Sequence, residues 1–509
     1  MGCTRGIEKP ASLSYSITLK SKQLILGLDI GTSSVRAALY HSRGTMIPET
    51  LVKNKRTLTA TDDGGAEIDA DVAFKQVVKA IDDVLEKAIE GEITHVASCA
   101  FWHSLVGIDA DGKPTTKVFG WADTRSRSHV DDLRRRFDEA VTHNRTGAKF
   151  HSSFWPAKVR WLAKESPDVF TGTRQWLSFS DYVTFKLSGS MTTSVSMASG
   201  TGILDIRKRV WDSEMTRFLK IKTSSLPPIA GPGDTFALSR KYLKRWPRLR
   251  DAKWFPSIAD GAANNIGAGC VKKSKAAVMI GTSGAMRVGY SGEPPSQIPS
   301  GLWCYRIDHN RVIIGGALSD GGGLYQWLKE NLKLGDDDRV EAEIDKRDPG
   351  AHGLTVMPFF AGERSTGYNE AATGAIVGLR SSTDRIDIVQ AALESVAYRF
   401  AEIFDQLNGV CPIREIVASG GALRSSPVWT QMIADVLGRD LTLPDTHEAS
   451  MRGAVLLALE TAGRIKKIED APHSSGKKFS ADKSRKAVYA KARKAHQQVY
   501  ETLIDREKP

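Results

Sequence analysis

Leu24-Ile25-Leu26-Gly27-Leu28-Asp29-Ile30 is a short apolar run that stops in Gly31-Thr32-Ser33-Ser34, and residues 35–40 resume the apolar character. A strand, a tight turn and a return strand account for such a stretch. The device recurs in the second half of the chain. Ala276-Ala277-Val278-Met279-Ile280 enters Gly281-Thr282-Ser283-Gly284, and residues 285–290 leave it. Two copies suggest a duplicated fold with one hairpin in each half. Around them, Val72, Val77, Ala80, Ile81, Val84, Leu85 and Ala88 fall on one face of a helix over 71–89, and a strand follows at 96–101. Further helices are expected at 324–331, 386–407 and 428–437, with a strand at 415–418. Strands alternating with helices predict layered α/β architecture. Pro227-Pro228-Ile229-Ala230-Gly231-Pro232-Gly233 is a breaker-rich loop. The expected division is an extension without order over 1–22, an N-terminal domain over 23–258 and a C-terminal domain over 259–509. The last of these ends in a basic tail after Arg464, with a final helix near 484–503.

The 509-residue length favours two or more domains over one core. The composition, 41% hydrophobic and 26% charged, is that of an ordinary globular chain. Its net charge is +12, concentrated in Arg134-Arg135-Arg136, Lys272-Lys273 and the stretch after Arg464. With no zinc-finger spacing, RNP motif or basic heptads, this reads as a solvated positive surface, the alternative being a mild attraction for anionic ligands, and no nucleic-acid partner is expected. Five widely spaced cysteines without a CxxC argue against a disulfide framework and a cysteine zinc site. No apolar run is long enough to span a bilayer, so no membrane partner is expected. Met1-Gly2-Cys3-Thr4-Arg5-Gly6 departs from a myristoylation signal at position 6. A cytoplasmic protein is the expectation.

Several short motifs could carry chemistry. In Gly27-Leu28-Asp29-Ile30-Gly31-Thr32-Ser33 a carboxylate ends a strand beside a glycine turn. The amides and hydroxyls of such a turn meet phosphate oxygens, and Asp29 can hold Mg2+ through water; a hairpin whose Asp binds its own turn amides is the plain alternative. The Gly281-Thr282-Ser283-Gly284 turn offers a second phosphate grip. In Ser257-Ile258-Ala259-Asp260-Gly261-Ala262-Ala263 the acid is either a helix cap or a general base at a helix N-terminus. Glycine clusters at Gly315-Gly316, Gly321-Gly322-Gly323 with Gln326, and Gly420-Gly421 with Ser425 suit close approach to a nucleotide. GxxxxGK[ST] is absent, which excludes a P-loop kinase. Trp102-His103 and Trp121-Ala122-Asp123-Thr124-Arg125 bring the residue types that hold sugars, although a lone His or Trp is more often core.

Taken in order, these motifs resemble the FGGY family of carbohydrate kinases. The resemblance runs from about residue 24 to 462 and includes Phe359-Phe360-Ala361-Gly362-Glu363-Arg364-Ser365, which looks like the family's signature stretch. Within the family, Ser196-Met197-Ala198-Ser199-Gly200-Thr201-Gly202, Gly301-Leu302-Trp303-Cys304-Tyr305 and Tyr368-Asn369 look most like gluconokinases, with xylulokinases next. Departures are His103 after Trp102, Ser425 where glycerol kinases have Asn, and Thr366 in place of a frequent Pro.

The resemblance implies two ribonuclease H-like domains of the actin/Hsp70/sugar kinase kind, with the catalytic cleft between them. It implies ATP and Mg2+ as cofactors and a sugar or sugar acid as substrate, D-gluconate before xylulose or another polyol. Asp260 would be the base. Asp29 would organise Mg2+. Thr32, Ser33, Gly281, Thr282, Gly322, Gln326, Gly421 and Ser425 would contact ATP, and Trp102, His103, Trp121, Asp123, Arg125 and Asp260 the sugar. A homodimer is compatible with this reading. A non-transferring ATP-binding sensor or chaperone-like ATPase would share the two turns but would not need Asp260 or the Trp121-Asp123-Arg125 set.

Overall fold

The computed structural model describes residues 23–505 except 57, 88, 446–447 and 473–474. The extension over 1–22 lies outside the described residues, as does Ala88. The opening hairpin is present as β1 (Gln23–Ile30) and β2 (Ser34–His41), antiparallel, with Asp29 opposite Arg36. β3 (Val52–Lys55) continues antiparallel beyond β2, while β4 (Glu92–Ala100) and β5 (Lys253–Trp254) lie parallel on the other side. The order is therefore β3-β2-β1-β4-β5, and β6 (Ile258–Ala259) also pairs with β4. β4 starts earlier than the apolar pattern indicated, because its first residues, Glu92-Ile93-Thr94-His95, are polar but for Ile93.

The second sheet repeats the scheme. β7 (Lys275–Ile280) and β8 (Gly284–Ser291) form its hairpin, followed by β9 (Trp303–Arg306), β10 (Arg311–Leu318), β11 (Glu415–Ser419), β12 (Leu441–Pro444) and β13 (Gly476–Phe479). Its order is β9-β10-β8-β7-β11-β12-β13. The run β10-β8-β7-β11-β12 has the same sense as β3-β2-β1-β4-β5: antiparallel hairpin and third strand on one side, parallel strands on the other. The repeated strand–turn–strand motif thus marks a repeated sheet.

The helix over 71–89 is α1 (Ala70–Leu85), capped by Asp69, whose carboxylate accepts from Val72 N–H at 3.0 Å. Its buried face is Ala70, Ala73, Phe74, Val77, Ala80, Ile81 and Val84, and Val72 is exposed, a correction to the periodic set. The position three residues past an N-cap here turns toward solvent.

Two helices form the spine between the sheets. α2 (Asp260–Gly267) and α3 (Ala449–Thr461) pack glycine against backbone: a Cβ on Gly453 would sit 1.8 Å from Ala263 O, and one on Gly267 1.8 Å from Ala449 O. Only glycine allows that approach. α3 comes from the second half of the chain yet packs on β1 and β4 of the first sheet. In the basic stretch after Arg464, β13 completes the sheet edge, and the expected final helix is α4 (Lys486–Leu503), whose buried Tyr489 and His496 meet Tyr398 and whose Tyr500 meets Phe359. Among the described residues no helix is long and apolar enough to cross a membrane.

Candidate active site

The ends of β1, α2 and α3 converge. Asp29, 7% exposed, lies at the end of β1 with Arg36 Nη1 at 3.4 Å and Cys99 Sγ at 3.6 Å. Arg36 also pairs with Glu448 at 2.8 Å, the residue that opens α3 in a left-handed conformation. Burial, helped by the charges of Asp260 and Glu448, pushes the Asp29 carboxyl up to about 7 against the pull of Arg36. Asp260 is the first residue of α2, not its cap, which is Ala259. Its carboxylate accepts from Gly261 N–H at 2.7 Å. Burial raises its proton affinity, while Arg287 and the amides of Gly261 and Trp102 oppose the rise. The helix N-terminus favours the anion and the buried setting the acid, and burial is the larger effect. Among the described residues no group of three His, Cys, Asp or Glu side chains is arranged to hold a metal.

The first turn closes with Gly31 N–H to Ser34 O at 3.0 Å and is pinned by the buried Arg56, which donates to Gly31 O at 3.1 Å. Thr32 and Ser33 are left at its accessible tip. In the second half three glycine segments meet. Gly322 N–H donates to Gly281 O at 2.8 Å, and Gly321 and Gly323 N–H donate to Thr282 O at 3.0 and 2.9 Å. A Cβ on Gly322 would lie 2.6 Å from Gly281 O and 3.2 Å from Ala422 Cβ. Gly420, with φ 98°, passes close beneath the Ile280 carbonyl. Gly281, Thr282, Gly322 and Gly421 are thereby gathered on one rim. Gln326 is exposed and donates to Glu330 at 2.7 Å; Ser425 is exposed as well.

Trp102 and His103 follow β4 and form an aromatic wall with Trp303, Tyr305 and Phe154. Trp102 meets Tyr305 at 5.0 Å, and His103 meets Phe154 at 4.9 Å. Trp102 Nε1 donates to Ser196 O at 3.0 Å, and His103, at φ 66°, pairs with Gly200 O at 2.5 Å. The Ser196–Gly202 segment therefore backs this wall. Burial pushes the His103 and His151 imidazoles well below their ordinary values, so both are neutral at pH 7.

Trp121, Asp123 and Arg125 part company. Trp121 is half-buried with the Arg364 guanidinium 5.3 Å over its ring. Asp123 is buried, accepting from Ala66 N–H at 3.1 Å and from Arg125 at 2.6 Å. Arg125 also binds Glu67 at 2.6 Å and is flanked by the Phe119 and Trp161 rings at 5.0 and 4.9 Å. This pair ties the Trp121–Arg125 segment to Ala66 and Glu67 and has few donors left over.

The wall also holds cations that motif reading missed. Arg287 lies on β8 next to Gly261 and Trp102, Lys158 donates to Ser153 O at 2.6 Å, and Arg364 sits in the Phe359–Ser365 stretch. Burial brings Arg287 down to about 10 and Lys158 down to about 7, and Arg364 adds its repulsion to both. Arg364 is held from behind: Glu363 is ion-paired with Arg399 and accepts from Tyr500 Oη at 2.8 Å, while Asn369 Nδ2 donates to Ile504 O at 3.0 Å. Only the quoted signature stretch hinted at Arg364.

Two nucleotide-type hairpins, a buried carboxyl at a helix start between them and an aromatic wall define the class of a two-domain sugar kinase. Comparison agrees. The N-terminal domain profile of the FGGY family of carbohydrate kinases matches residues 24–245, and its C-terminal domain profile matches residues 276–462. The chain belongs to this family and is a carbohydrate kinase that uses ATP as phosphate donor. A gluconokinase of Bacillus licheniformis is 28% identical over 455 residues, 87% of this chain and 88% of the relative. A xylulose kinase of Staphylococcus xylosus is 25% identical over 438 residues, 85% and 90%. Among solved structures, a gluconate kinase from Lactobacillus acidophilus superposes with a TM-score of 0.88 at 26% identity, covering 95% of this chain and 98% of that one. A ligand-bound xylulose kinase from the same organism also gives 0.88 at 26%, covering 94% and 98%.

Proposed function

We propose that the protein phosphorylates a sugar acid, D-gluconate to 6-phosphogluconate. The observation that carries the acid over a neutral sugar is the buried positive charge along the Trp102–His103 wall. Burial depresses Arg287, Arg364 and Lys158 there and Arg364 repels the other two, although Asp260 partly offsets Arg287 and Asp123 and Glu370 partly offset Lys158. Desolvated cations of that kind are stabilised by an arriving anion. The gluconokinase relatives point the same way.

In the reaction the sugar hydroxyl oxygen attacks the γ-phosphorus of ATP, the bond from that phosphorus to the bridging oxygen breaks, and ADP leaves. Asp260 takes the hydroxyl proton; its raised proton affinity brings a carboxylate toward the range where a general base works at neutral pH. The turns at Thr32-Ser33 and Gly281-Thr282 hold the phosphates through amides and hydroxyls. Gly322, Gln326, Gly421 and Ser425 face the nucleoside. Trp102, His103 and Trp121 bear on the sugar, while Asp123 and Arg125 bond each other and the Ala66-Glu67 segment.

Asp29 would hold Mg2+. Its carboxyl suffers from neighbouring negative charge, which a cation relieves, and Mg2+ ordinarily takes one or two carboxylates with water and substrate phosphates. When bound, the ion offsets phosphate charge. Closing the two halves on both substrates excludes water as a competing acceptor.

The test is a coupled ADP-release assay across gluconate, xylulose, ribulose and glycerol. Preferred turnover of gluconate supports the reading. Turnover of xylulose with none of gluconate would reject it in favour of a pentulose kinase, the function of the other well-matched relatives.

A further inference from the structure

Strand register brings Arg287 together with Trp303 and Tyr305, groups that the phosphoryl-transfer chemistry does not use. On β10, Gly315 lies between Arg287 of β8 and Trp303 of β9, directly opposite both. Residues facing each other across antiparallel strands share a face, so Arg287 and Trp303 point the same way. Tyr305 is two residues along and joins them, its ring stacked on Trp303 at 4.5 Å with 8° between planes. Gly315 contributes no side chain between them. A Cβ there would sit 3.0 Å from Arg287 Cγ and 2.5 Å from Met286 O, so the slot exists because the residue is glycine. Asp260 and Gly261 approach from α2: a Cβ on Gly261 would come within 3.3 Å of the guanidinium carbon.

Four buried atoms of this face have no hydrogen-bond partner: Arg287 Nε and Nη1, Trp303 Nε1 and Tyr305 Oη. Arg287 is only 7% exposed. Asp260 acts on Arg287 through its field, yet neither Nε nor Nη1 bonds to it. Buried polar groups in native proteins are paired, and a cluster of exceptions calls for a missing partner. Each of these groups can donate, and the nitrogens can do nothing else. A neutral polyol would bring hydroxyls that must donate as well as accept. A carboxylate only accepts, and it supplies the direct acceptors that Arg287 Nε and Nη1 do not get from Asp260.

We propose that Arg287 is the residue that reads the substrate carboxylate and so sets acid over neutral sugar, with Trp303 Nε1 and Tyr305 Oη completing the donor set. The proposal rests on the sugar-acid reading given above. Losing one partner of a buried charge-assisted contact costs about 10²-fold or more in affinity. The experiment compares the wild-type protein with Arg287→Met and Arg287→Lys, measuring kcat/KM for gluconate and for neutral D-xylulose and D-glucitol, with KM for ATP as the check on folding. The expected result is a fall in the gluconate-to-neutral ratio of about 10²-fold in Arg287→Met, mostly in KM for gluconate, with part of the ratio restored by Arg287→Lys. An equal loss on acid and neutral acceptors overturns the proposal and makes Arg287 a partner of Asp260 alone. A wild-type protein that turns over neutral sugars and no sugar acid overturns the underlying reading, whatever the variants do.

Discussion

Replacing Asp29 by Asn should make the protein more stable at pH 8 while abolishing its activity. Asp29 is buried, and its carboxyl is displaced from 3.8 to about 7. Each pH unit between those values adds about 1.4 kcal/mol to the cost of keeping the side chain ionised in the folded protein, so at pH 8 the cost approaches about 4 kcal/mol. Below pH 7 the folded state takes up the proton while the unfolded chain stays ionised down to about 4, so the cost shrinks to about 2 kcal/mol by pH 5. The Asn amide carries its own burial penalty of about 1–3 kcal/mol, and Arg36 keeps only Glu448 as a partner. The net gain at pH 8 is therefore about 1–3 kcal/mol, roughly 2–8 °C in melting temperature for a domain of this size. Calorimetry of wild type and variant, without Mg2+ or nucleotide, reads this directly. The gap should close toward pH 5, and Mg2+ should raise the melting temperature of the wild type more than that of the variant. A variant that melts below wild type at pH 8, or a gap that widens on acidification, refutes the reasoning.

Gly421→Val should raise KM for ATP by about tenfold or more, a loss of about 1.4 kcal/mol, with little change in melting temperature. A Cβ at that position meets nothing within 4 Å, so the side chain fills only the space assigned to the nucleoside. Tyr500→Phe removes one donor from the buried Glu363 and should cost about 1.5–3 kcal/mol of stability. Because Glu363 fixes the stretch that carries Arg364, KM for the sugar should rise while KM for ATP stays put; thermal melts and steady-state kinetics separate the two effects.

The repeated hairpin was legible because each copy is local: apolar strand, glycine turn and return strand lie within about 17 residues. Local signals also exposed Asp29, Asp260 and the glycine clusters. The cation wall was not legible. Arg287 faces Trp303 only because Gly315 pairs with both, and three-strand register is a long-range property that no single stretch encodes. Glu448 reaches Arg36 across 412 positions through the docking of α3 on the first sheet. Trp121, Asp123 and Arg125 read as one sugar motif because they are adjacent, yet burial divides them, since Asp123 and Arg125 neutralise each other beside Glu67. The stretch after Arg464 looked like a solvated tail from its lysines, while its buried face rests on three spaced aromatic residues, Tyr489, His496 and Tyr500.

Phosphoryl transfer in this protein turns on Asp260, first residue of α2. Steady-state kinetics of Asp260→Asn with gluconate and ATP test it most directly. A fall in kcat of about 10³-fold or more, with both substrates still bound near their wild-type affinities, is the predicted result. Turnover within tenfold of wild type would contradict it.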